Sequence, residues 1–359
     1  MRQGILISVF IIILPFSAVS AADVLPVPVV AYSGDTSVML GGALFIFPDS
    51  ENGQRRDSIR FLGIYTLKNQ MITSAGYRKF FADGFLYNSG SAGYVNFPND
   101  FYGIGPGTPG SNREEYTPVT VPVRQSLMFK VLPYTYAGPF YTFIYADIRD
   151  TTKGGLLEQD PVPDAGGGIV SMPGLTVEYD TRNDEFYPSE GAFFEGAVMA
   201  NSVSMGATSE SQKAELDYRH FFNLYHHDYI LGVQANVVYQ RGEVPLVLLE
   251  SVGGASLVRG YDGGRYLDKS RYGVQGEFRH PYRFLEKYGI LRRFSGTVFG
   301  GLGSVADTPF DFQRKYAYWA AGMGLRFRIS NGNRIHVRAD YAVNRYGESF
   351  FYFNFTEAF

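Results

Sequence analysis

Residues 316–343 read YAYWAAGMGLRFRISNGNRIHVRADYAV, and this stretch decides the fold. From 316 to 329, apolar and aromatic side chains alternate with small or basic ones, and 334–343 repeat the alternation. Because successive side chains of a β-strand point to opposite faces, a period of two predicts two strands with one apolar face each. The four residues between them, 330–333, have good turn chemistry. The stretch therefore predicts a β-hairpin.

The two faces of this hairpin differ in chemistry. One face is apolar from Ala317 to Ile329 and from Ile335 to Val343, whereas the opposite face is rich in arginine. A soluble sandwich alternates in the same way, so the alternation alone leaves the fold class open. Strand length, aromatic residues near strand ends and arginines confined to one face all favour a membrane β-barrel with a wet lumen. The predicted lumen arginines are Arg326, Arg328, Arg334 and Arg338.

The composition excludes several classes of protein. Among 359 residues there are 0 Cys, 1 Trp, 27 Tyr, 30 Phe and 42 Gly. Without cysteine, a disulfide scaffold, thiol catalysis and a cysteine metal site are impossible. A net charge of -3 leaves no global basic surface for nucleic acid, so we expect no nucleic-acid partner. The many aromatic residues also disfavour disorder.

The first 22 residues have the order of a secretory signal peptide. Arg2 is followed by an apolar run over residues 5–14 and by small residues at 18–22. As a membrane anchor, the apolar run is too short to span a bilayer as a helix, and no later run is long enough. A membrane location therefore requires a closed β-barrel. We predict a signal peptide at 1–22 and one barrel domain at 23–359, in contact with bacterial outer-membrane lipid.

The chain divides into sixteen predicted antiparallel strands, an even number that leaves both termini in the periplasm. The first hairpin depends on splitting residues 26–47 at 33–36. The longest predicted connections then share one side, as expected of extracellular loops, although 48–57 is a rather long periplasmic stretch. The strands are 26–33, 36–47, 58–68, 70–81, 84–97, 119–132, 134–149, 172–181, 191–203, 213–223, 227–240, 271–284, 290–303, 315–329, 333–344 and 348–359. The long connections are 98–118, 150–171, 204–212, 241–270 and 304–314.

Four short motifs stand at intervals along these strands. The chain ends in alternating aromatics, Phe351, Phe353, Phe355 and Phe359, which is typical of the assembly signal of outer-membrane barrels or simply of an apolar last strand. A polar turn joins two apolar strands and contains Asp180, Thr181, Arg182, Pro188 and Gly191. The long 241–270 connection contains Val258-Arg259-Gly260-Tyr261. Residues 101–105, FYGIG, follow the fifth predicted strand.

In order and spacing, these motifs resemble the BamA/TamA superfamily of outer-membrane barrels, also called the bacterial surface antigen family. The resemblance implies that the sixth extracellular loop folds into the lumen and that Arg259 binds acidic residues of the inner wall. Glu277 matches the family's glutamate, while Gly301 stands where the family has aspartate, so Asp340 is the candidate second partner. A guanidinium withdrawn from water needs carboxylate partners. The alternative interpretation is that Arg259 is a solvated loop residue.

The resemblance implies a conduit or insertion factor for protein or lipid. Family members that insert or secrete proteins carry periplasmic polypeptide-transport (POTRA) domains, but here the first strand begins just after the predicted cleavage site. We therefore expect a barrel-only member with a separate periplasmic or outer-membrane partner, itself inserted by the barrel assembly machinery. Pro26 and Pro28 lack main-chain donors, which either weakens pairing between the first and last strands or merely ends the first strand.

Two other functions remain open: a passive porin-like channel or structural outer-membrane protein, and an enzyme. In a passive porin, the four lumen arginines either line an anion-preferring channel or pair with Glu178, Asp180, Glu215, Asp217 and Asp340. An enzyme is the less favoured alternative, because the histidine pair at 226–227 has no serine motif beside it and no Gly-x-Ser-x-Gly occurs. The glycine clusters precede no predicted helix, so neither a phosphate-binding cofactor site nor a metal site is predicted.

Overall fold

The computed structural model describes most of the chain. It covers residues 22–33, 37–48, 57–159, 162–225, 229–282, 285, 287–311, 313–329 and 334–359. Ala22 is therefore the one described residue of the predicted signal peptide. The predicted turn at 330–333, the histidine pair at 226–227 and most of the 48–57 connection also lie outside the described residues.

Within these ranges, 19 β-strands and one short α-helix form. The strands are β1 (Ala22–Ser33), β2 (Ser37–Pro48), β3 (Ser58–Thr66), β4 (Met71–Phe81), β5 (Leu86–Asn96), β6 (Asn99–Phe101), β7 (Glu114–Leu132), β8 (Thr135–Arg149), β9 (Gly167–Asp180), β10 (Gly191–Asn201), β11 (Ser211–Tyr225), β12 (Tyr229–Gly242), β13 (Glu250–Ser251), β14 (Leu267–Asp268), β15 (Ser270–Pro281), β16 (Phe294–Ala306), β17 (Tyr318–Arg328), β18 (His336–Asn344) and β19 (Ser349–Phe355). The helix is α1 (Leu156–Gln159), and short 3-10 turns lie at Gly110–Asn112, Val203–Met205, Leu246–Leu248, Gly289–Arg293 and Arg314–Tyr316. None of the described helices is long and apolar enough to cross a membrane.

The strands pair in chain order into one large antiparallel sheet. β1 pairs with β2 at one end of the order, and β18 pairs with β19 at the other. β5 pairs with β7 past the short β6, and β12 pairs with β15 past β13 and β14, which form a separate small pair. The fold class is therefore all-β, as the alternation predicted.

The alternation separates an inner polar face from an outer apolar one. In β12, buried residues alternate with more exposed ones, so that Gln234, Asn236 and Gln240 lie inside while Val237 is exposed. In β17, Trp319 and Met323 are exposed on the outer face. Polar groups thus face inward, the reverse of a soluble globular protein.

Packing brings the two ends of the sheet together. Val27 of β1 shares a buried cluster with Phe45 and Phe47 of β2 and with Ile335, which precedes β18. Such contact between early and late strands requires the sheet to curl around an interior. The sequence placed Ile335 on the outer face, and this was wrong. Arg334 has a left-handed φ of 46° just before β18, which interrupts the alternation there.

Several strand boundaries differ from those predicted. β7 begins at Glu114 and β9 at Gly167, because main-chain pairing with β6 and β8 continues where the side chains no longer alternate. β16 begins only at Phe294, since residues 289–293 form a 3-10 turn instead. β19 ends at Phe355, four residues before the end of the chain.

The long connections pack over one end of the sheet. The FYGIG run meets the 243–269 connection, where the amide of Gly105 donates to the carbonyl of Leu267 at 2.7 Å. A guanidinium nitrogen of Arg265 donates to the carbonyl of Thr108 at 2.8 Å. Apolar side chains from four connections and the neighbouring strands form two buried clusters beneath them. This end of the fold is therefore covered by its own loops.

Candidate functional site

Arg259 is the centre of a buried ion cluster on the inner face. Its two terminal nitrogens lie 2.7 Å from Glu277 of β15 and 2.6 Å from Asp340 of β18, and all three side chains are fully buried. Its guanidinium also lies over the ring of Phe299, 3.6 Å from the centroid. The alternative interpretation of Arg259 as a solvated loop residue is therefore wrong.

Three further arginines complete this arginine cluster. Arg279 donates to Glu277 at 2.7 Å, and Arg338 lies 2.9 Å from Asp340. Arg326 contacts Asp340, Glu277 and Glu357. Four guanidinium groups thus share three carboxylates in a region without solvent. Removing charge from water is costly, so such a group is stable only when each ion keeps its partners.

The register of two strands explains how like charges come together here. Arg326 of β17 lies directly opposite Arg338 of β18, an arrangement that repels by itself. Asp340 contacts both guanidinium groups, which offsets the repulsion. Gly324 lies opposite Asp340, and a Cβ there would collide with that carboxylate and with Arg326. A glycine is required at 324 for the cluster to close.

The loop that carries Arg259 is fixed to the inner wall by its main chain. Val258 and Gly260 have φ of 53° and 141°, and a Cβ on Gly260 would collide with Ala320. The amide of Gly260 donates to the Tyr352 hydroxyl at 2.9 Å, and that hydroxyl donates to the carbonyl of Tyr261 at 2.8 Å. The left-handed positions and the close wall contact explain the need for glycine at 260.

Gly301, which replaces the family's aspartate, lies directly beneath this loop. A Cβ at 301 would lie 3.3 Å from the Cα of Val258 and 3.1 Å from the Cβ of Gln275. The absent side chain lets the loop approach the wall closely. The second carboxylate for Arg259 comes instead from Asp340, the candidate named from the sequence.

The remaining predicted lumen residues lie apart from the arginine cluster. Arg328 is half-buried, and Arg334 is exposed outside β18. The predicted acids pair with other cations: Asp180 with Arg182, Asp217 with Arg219 and Glu215 with Lys213. Of the acids suggested as partners for the four lumen arginines, Asp340 is thus the one that joins the cluster, whereas Asp180, Asp217 and Glu215 each pair with a cation two residues away along the chain.

The polar turn after β9 folds toward the cluster. Arg182 binds Asp180 through two nitrogens at 2.9 and 3.0 Å, and Gly191, with φ of 97°, returns close to Thr181. The carbonyl of Pro188 accepts a hydrogen bond from Arg279 at 3.1 Å. The turn motif therefore supports the inner wall as well as reversing the chain.

The last residues of the chain also turn inward. Phe351 is exposed and Phe353 half-buried, but after Phe355 the left-handed φ of 65° at Thr356 ends the alternation. Phe359 is buried against Phe221, with ring centroids 6.0 Å apart. The expectation of a strand through residue 359 is therefore wrong.

The sequence did not identify two members of the site. Glu357 pairs with Arg326, and Phe299 lies under Arg259. A signal for Glu357 existed, because residues 356–357 interrupt the aromatic alternation with polar side chains. For Phe299, the family pattern that places Gly301 at the aspartate position also has a phenylalanine two residues earlier, but only the structure shows that its ring lies beneath Arg259.

A partly open cavity of about 630 Å³ borders the cluster near the end with the short turns. Glu357 and Phe359 form one side of it. Its other side has a row of paired positions across four strands, namely Arg60, Gly76, Ser91 and Arg124. The cavity therefore has walls of mixed polar and apolar character that belong mainly to the first half of the sheet.

The antiparallel sheet curls around a polar interior, and its inner wall binds an arginine from a loop. These two features together define a class of β-barrel. A family model, the Omp85 superfamily domain, matches residues 171–359, and the chain belongs to that superfamily. The resemblance to BamA-type barrels predicted from the sequence is thereby confirmed. No curated protein matches the chain significantly by sequence.

Solved structures show the same fold. BamA from Haemophilus ducreyi lacking POTRA domains 1-3 is 15% identical, with a TM-score of 0.60 over 94% of this chain and 70% of that one. CdiB from Escherichia coli is 10% identical, with a TM-score of 0.62 over 99% and 67%. CdiB from Acinetobacter baumannii is 14% identical, with a TM-score of 0.53 over 96% and 62%. The chain thus spans about two thirds of these structures.

Proposed function

We propose that this protein is an outer-membrane barrel of the BamA type that acts as a conduit or insertion factor for protein or lipid. Its wall consists of sixteen strands, namely all those described except β6, β13 and β14. The 243–269 connection is the sixth long loop and lies in the lumen. A separate partner delivers or receives the substrate, and the barrel has no catalytic role.

The outer face supports a bilayer location. Exposed large apolar residues such as Leu175, Val198, Leu216 and Val298 lie on strands all around the sheet. An apolar outer band around a polar interior is the arrangement expected of a membrane barrel. Membership of the Omp85 superfamily supports the same location.

The buried Arg259 carries the functional proposal. Because its loop is bound to the inner wall at both Glu277 and Asp340, the interior is not an open channel of fixed width. The long connections cover one end, and the inward C-terminal residues border a cavity of about 630 Å³ toward the other. A closed resting state suits a conduit that opens when a substrate arrives, and it disfavours a wide passive pore.

Planar-bilayer recording tests this closed state. We expect low resting conductance for the native barrel and a large increase for Arg259→Ala, because the loop loses both carboxylate anchors. A large, steady conductance that the substitution leaves unchanged would instead establish a passive porin.

A second assay tests the insertion role itself. Vesicles containing the native barrel should accelerate the insertion of an unfolded outer-membrane barrel substrate relative to vesicles without it. Co-purification from native outer membranes, after crosslinking, should recover the separate partner. Recovery of the barrel alone under all conditions, with no acceleration, would contradict the proposal.

A further inference from the structure

The connection between β15 and β16 differs from its neighbours at the end with the short turns. It runs from residue 282 to 293, whereas β7 and β8 are joined at that end by residues 133 and 134 alone. It includes the 3-10 turn Gly289–Arg293. Six consecutive residues, 287–292, are exposed. The exposure of so long a loop requires a physical explanation.

Large apolar side chains make up half of this exposed run. Tyr288, Ile290 and Leu291 are 52%, 63% and 42% exposed. Three such residues within four positions expose far more apolar surface than an ordinary turn, whose residues are polar. In water this surface would be unfavourable, by about 25 cal/mol for each square ångström.

The same segment is basic. By sequence it has four cations, Arg283, Lys287, Arg292 and Arg293, and one acid, Glu286. The turn at 181–190, at the same end, has three acids and one arginine. Lys287 and Arg292 are exposed, while Arg293 donates to the carbonyl of Ile329 at 3.2 Å and fixes the turn to the β17 end. This connection is therefore more positively charged than the 181–190 turn.

The segment continues a band of aromatic rings on the outer face. Phe278, His280 and Tyr282 follow one another where the chain leaves β15, with centroids 6.2 and 5.3 Å apart. Phe294 meets Phe327 at 4.9 Å where the chain enters β16. Aromatic rings of this kind gather at the boundary between hydrocarbon and headgroups.

We propose that residues 287–293 lie in the headgroup layer at the short-turn edge of the barrel and bind phospholipids with anionic headgroups. Tyr288, Ile290 and Leu291 enter the boundary of the acyl chains, and Lys287 and Arg292 meet the headgroup phosphates. This inference rests on the bilayer location given under the proposed function. Continuity with the aromatic band and the excess of cations favour lipid over a protein partner.

The single tryptophan makes the proposal measurable. Trp319 is 53% exposed on the outer face, at the end of β17 away from this connection, and reports contact with lipid there. A second reporter, Tyr288→Trp in a Trp319→Phe background, reports contact at the proposed site. Each is reconstituted as the full barrel in bilayers containing either brominated phosphatidylglycerol or brominated phosphatidylcholine, and fluorescence quenching is measured.

We expect brominated phosphatidylglycerol to quench the Tyr288→Trp reporter more strongly than brominated phosphatidylcholine does. The preference for the anionic lipid should be roughly fivefold for each cation that meets a headgroup. Adding Lys287→Gln and Arg292→Gln should remove the preference. The matched control, Lys153→Gln with Arg314→Gln, removes two exposed cations at the opposite end and should leave it unchanged. The Trp319 reporter should be quenched alike in the native and Lys287→Gln/Arg292→Gln proteins, which shows that both barrels are folded in the bilayer.

Two outcomes would overturn the inference while the proposed function stands. Quenching of Trp319 without quenching of the Tyr288→Trp reporter would place the segment in water, ready for a protein partner. Equal quenching of that reporter by both lipids would leave an apolar anchor without headgroup selectivity. If neither reporter were quenched, the bilayer location itself would fail.

Discussion

The inner wall near Arg259 and the inner wall of β3 to β7 follow the same alternation but differ in their solvation. Around Arg259, four arginines and three acids are buried and in contact. Across β3 to β7, Arg60 is exposed, and Arg124 lies 3.5 Å from Glu195 with both side chains partly exposed. The same inward polar pattern thus gives a dry, rigid wall in one region and a wet one in the other.

The loop is what separates the two regions. Residues 255–261 cover the late strands, and the carbonyl of Ala255 accepts a hydrogen bond from Arg338 at 2.5 Å. The early strands instead face the cavity. Charges covered by a loop depend on every partner, whereas charges in a water-filled cavity are screened. Substitutions should therefore have very different effects in the two walls.

The largest expected effect is that of Arg259→Ala. It breaks both buried ion pairs of the loop and opens the space over Phe299, although Glu277 and Asp340 each keep other arginines. We therefore expect the free energy of unfolding to fall by about 2–5 kcal/mol. Urea unfolding of the purified barrel measures this loss. The matched change in the wet wall, Arg60→Ala, should cost about 0–1 kcal/mol. Equal losses would show that the loop does not exclude water.

Alanine substitutions at two glycines, one in each wall, should have intermediate effects on stability. In Gly324→Ala the new methyl group would meet Asp340 and Arg326, and overpacking of this kind costs about 1–3 kcal/mol. At Gly76, in the inner wall of β4, a Cβ would make only ordinary contacts, the nearest at 3.4 Å, so Gly76→Ala should be neutral or slightly stabilising. The melting temperatures of the two variants provide the comparison. A destabilised Gly76→Ala protein would mean that the early wall is packed as tightly as the late one.

The smallest effect concerns pH and the loops above the cluster. Burial raises the pKa of Asp268 from 3.8 to about 6, although the amide of Lys269 donates to its carboxylate. The folded protein therefore holds a proton that the unfolded chain has lost, and this contribution to stability disappears as pH rises from about 4 to 6. Asp268→Asn should gain stability relative to the native protein over that range. A difference in melting temperature that stays constant with pH would contradict this.

Sequence patterns predicted the wall well, since alternation reports which side chain faces inward. Glu277 was found through a family motif, and Asp340 through its place on the arginine face. The sequence did not identify Glu357 as a partner of Arg326, because the aromatic alternation predicted a strand that continues to residue 359. In the structure the chain turns inward at Thr356, and this turn brings Glu357 to Arg326. The 3-10 turn at 289–293 was missed because Ile290 and Leu291 look like strand residues until two arginines follow.

The sequence by itself determined the all-β class, the inward polar face, the family resemblance and the need for a partner to Arg259. Those features depend on local periodicity and on short motifs, which neighbouring residues specify. Tertiary structure alone decided that Glu357 joins the cluster, why Gly301 and Gly324 are small and where water is excluded. These features depend on strand register and on a loop that contacts a wall distant along the chain. Such contacts produce no pattern among neighbouring residues of the sequence.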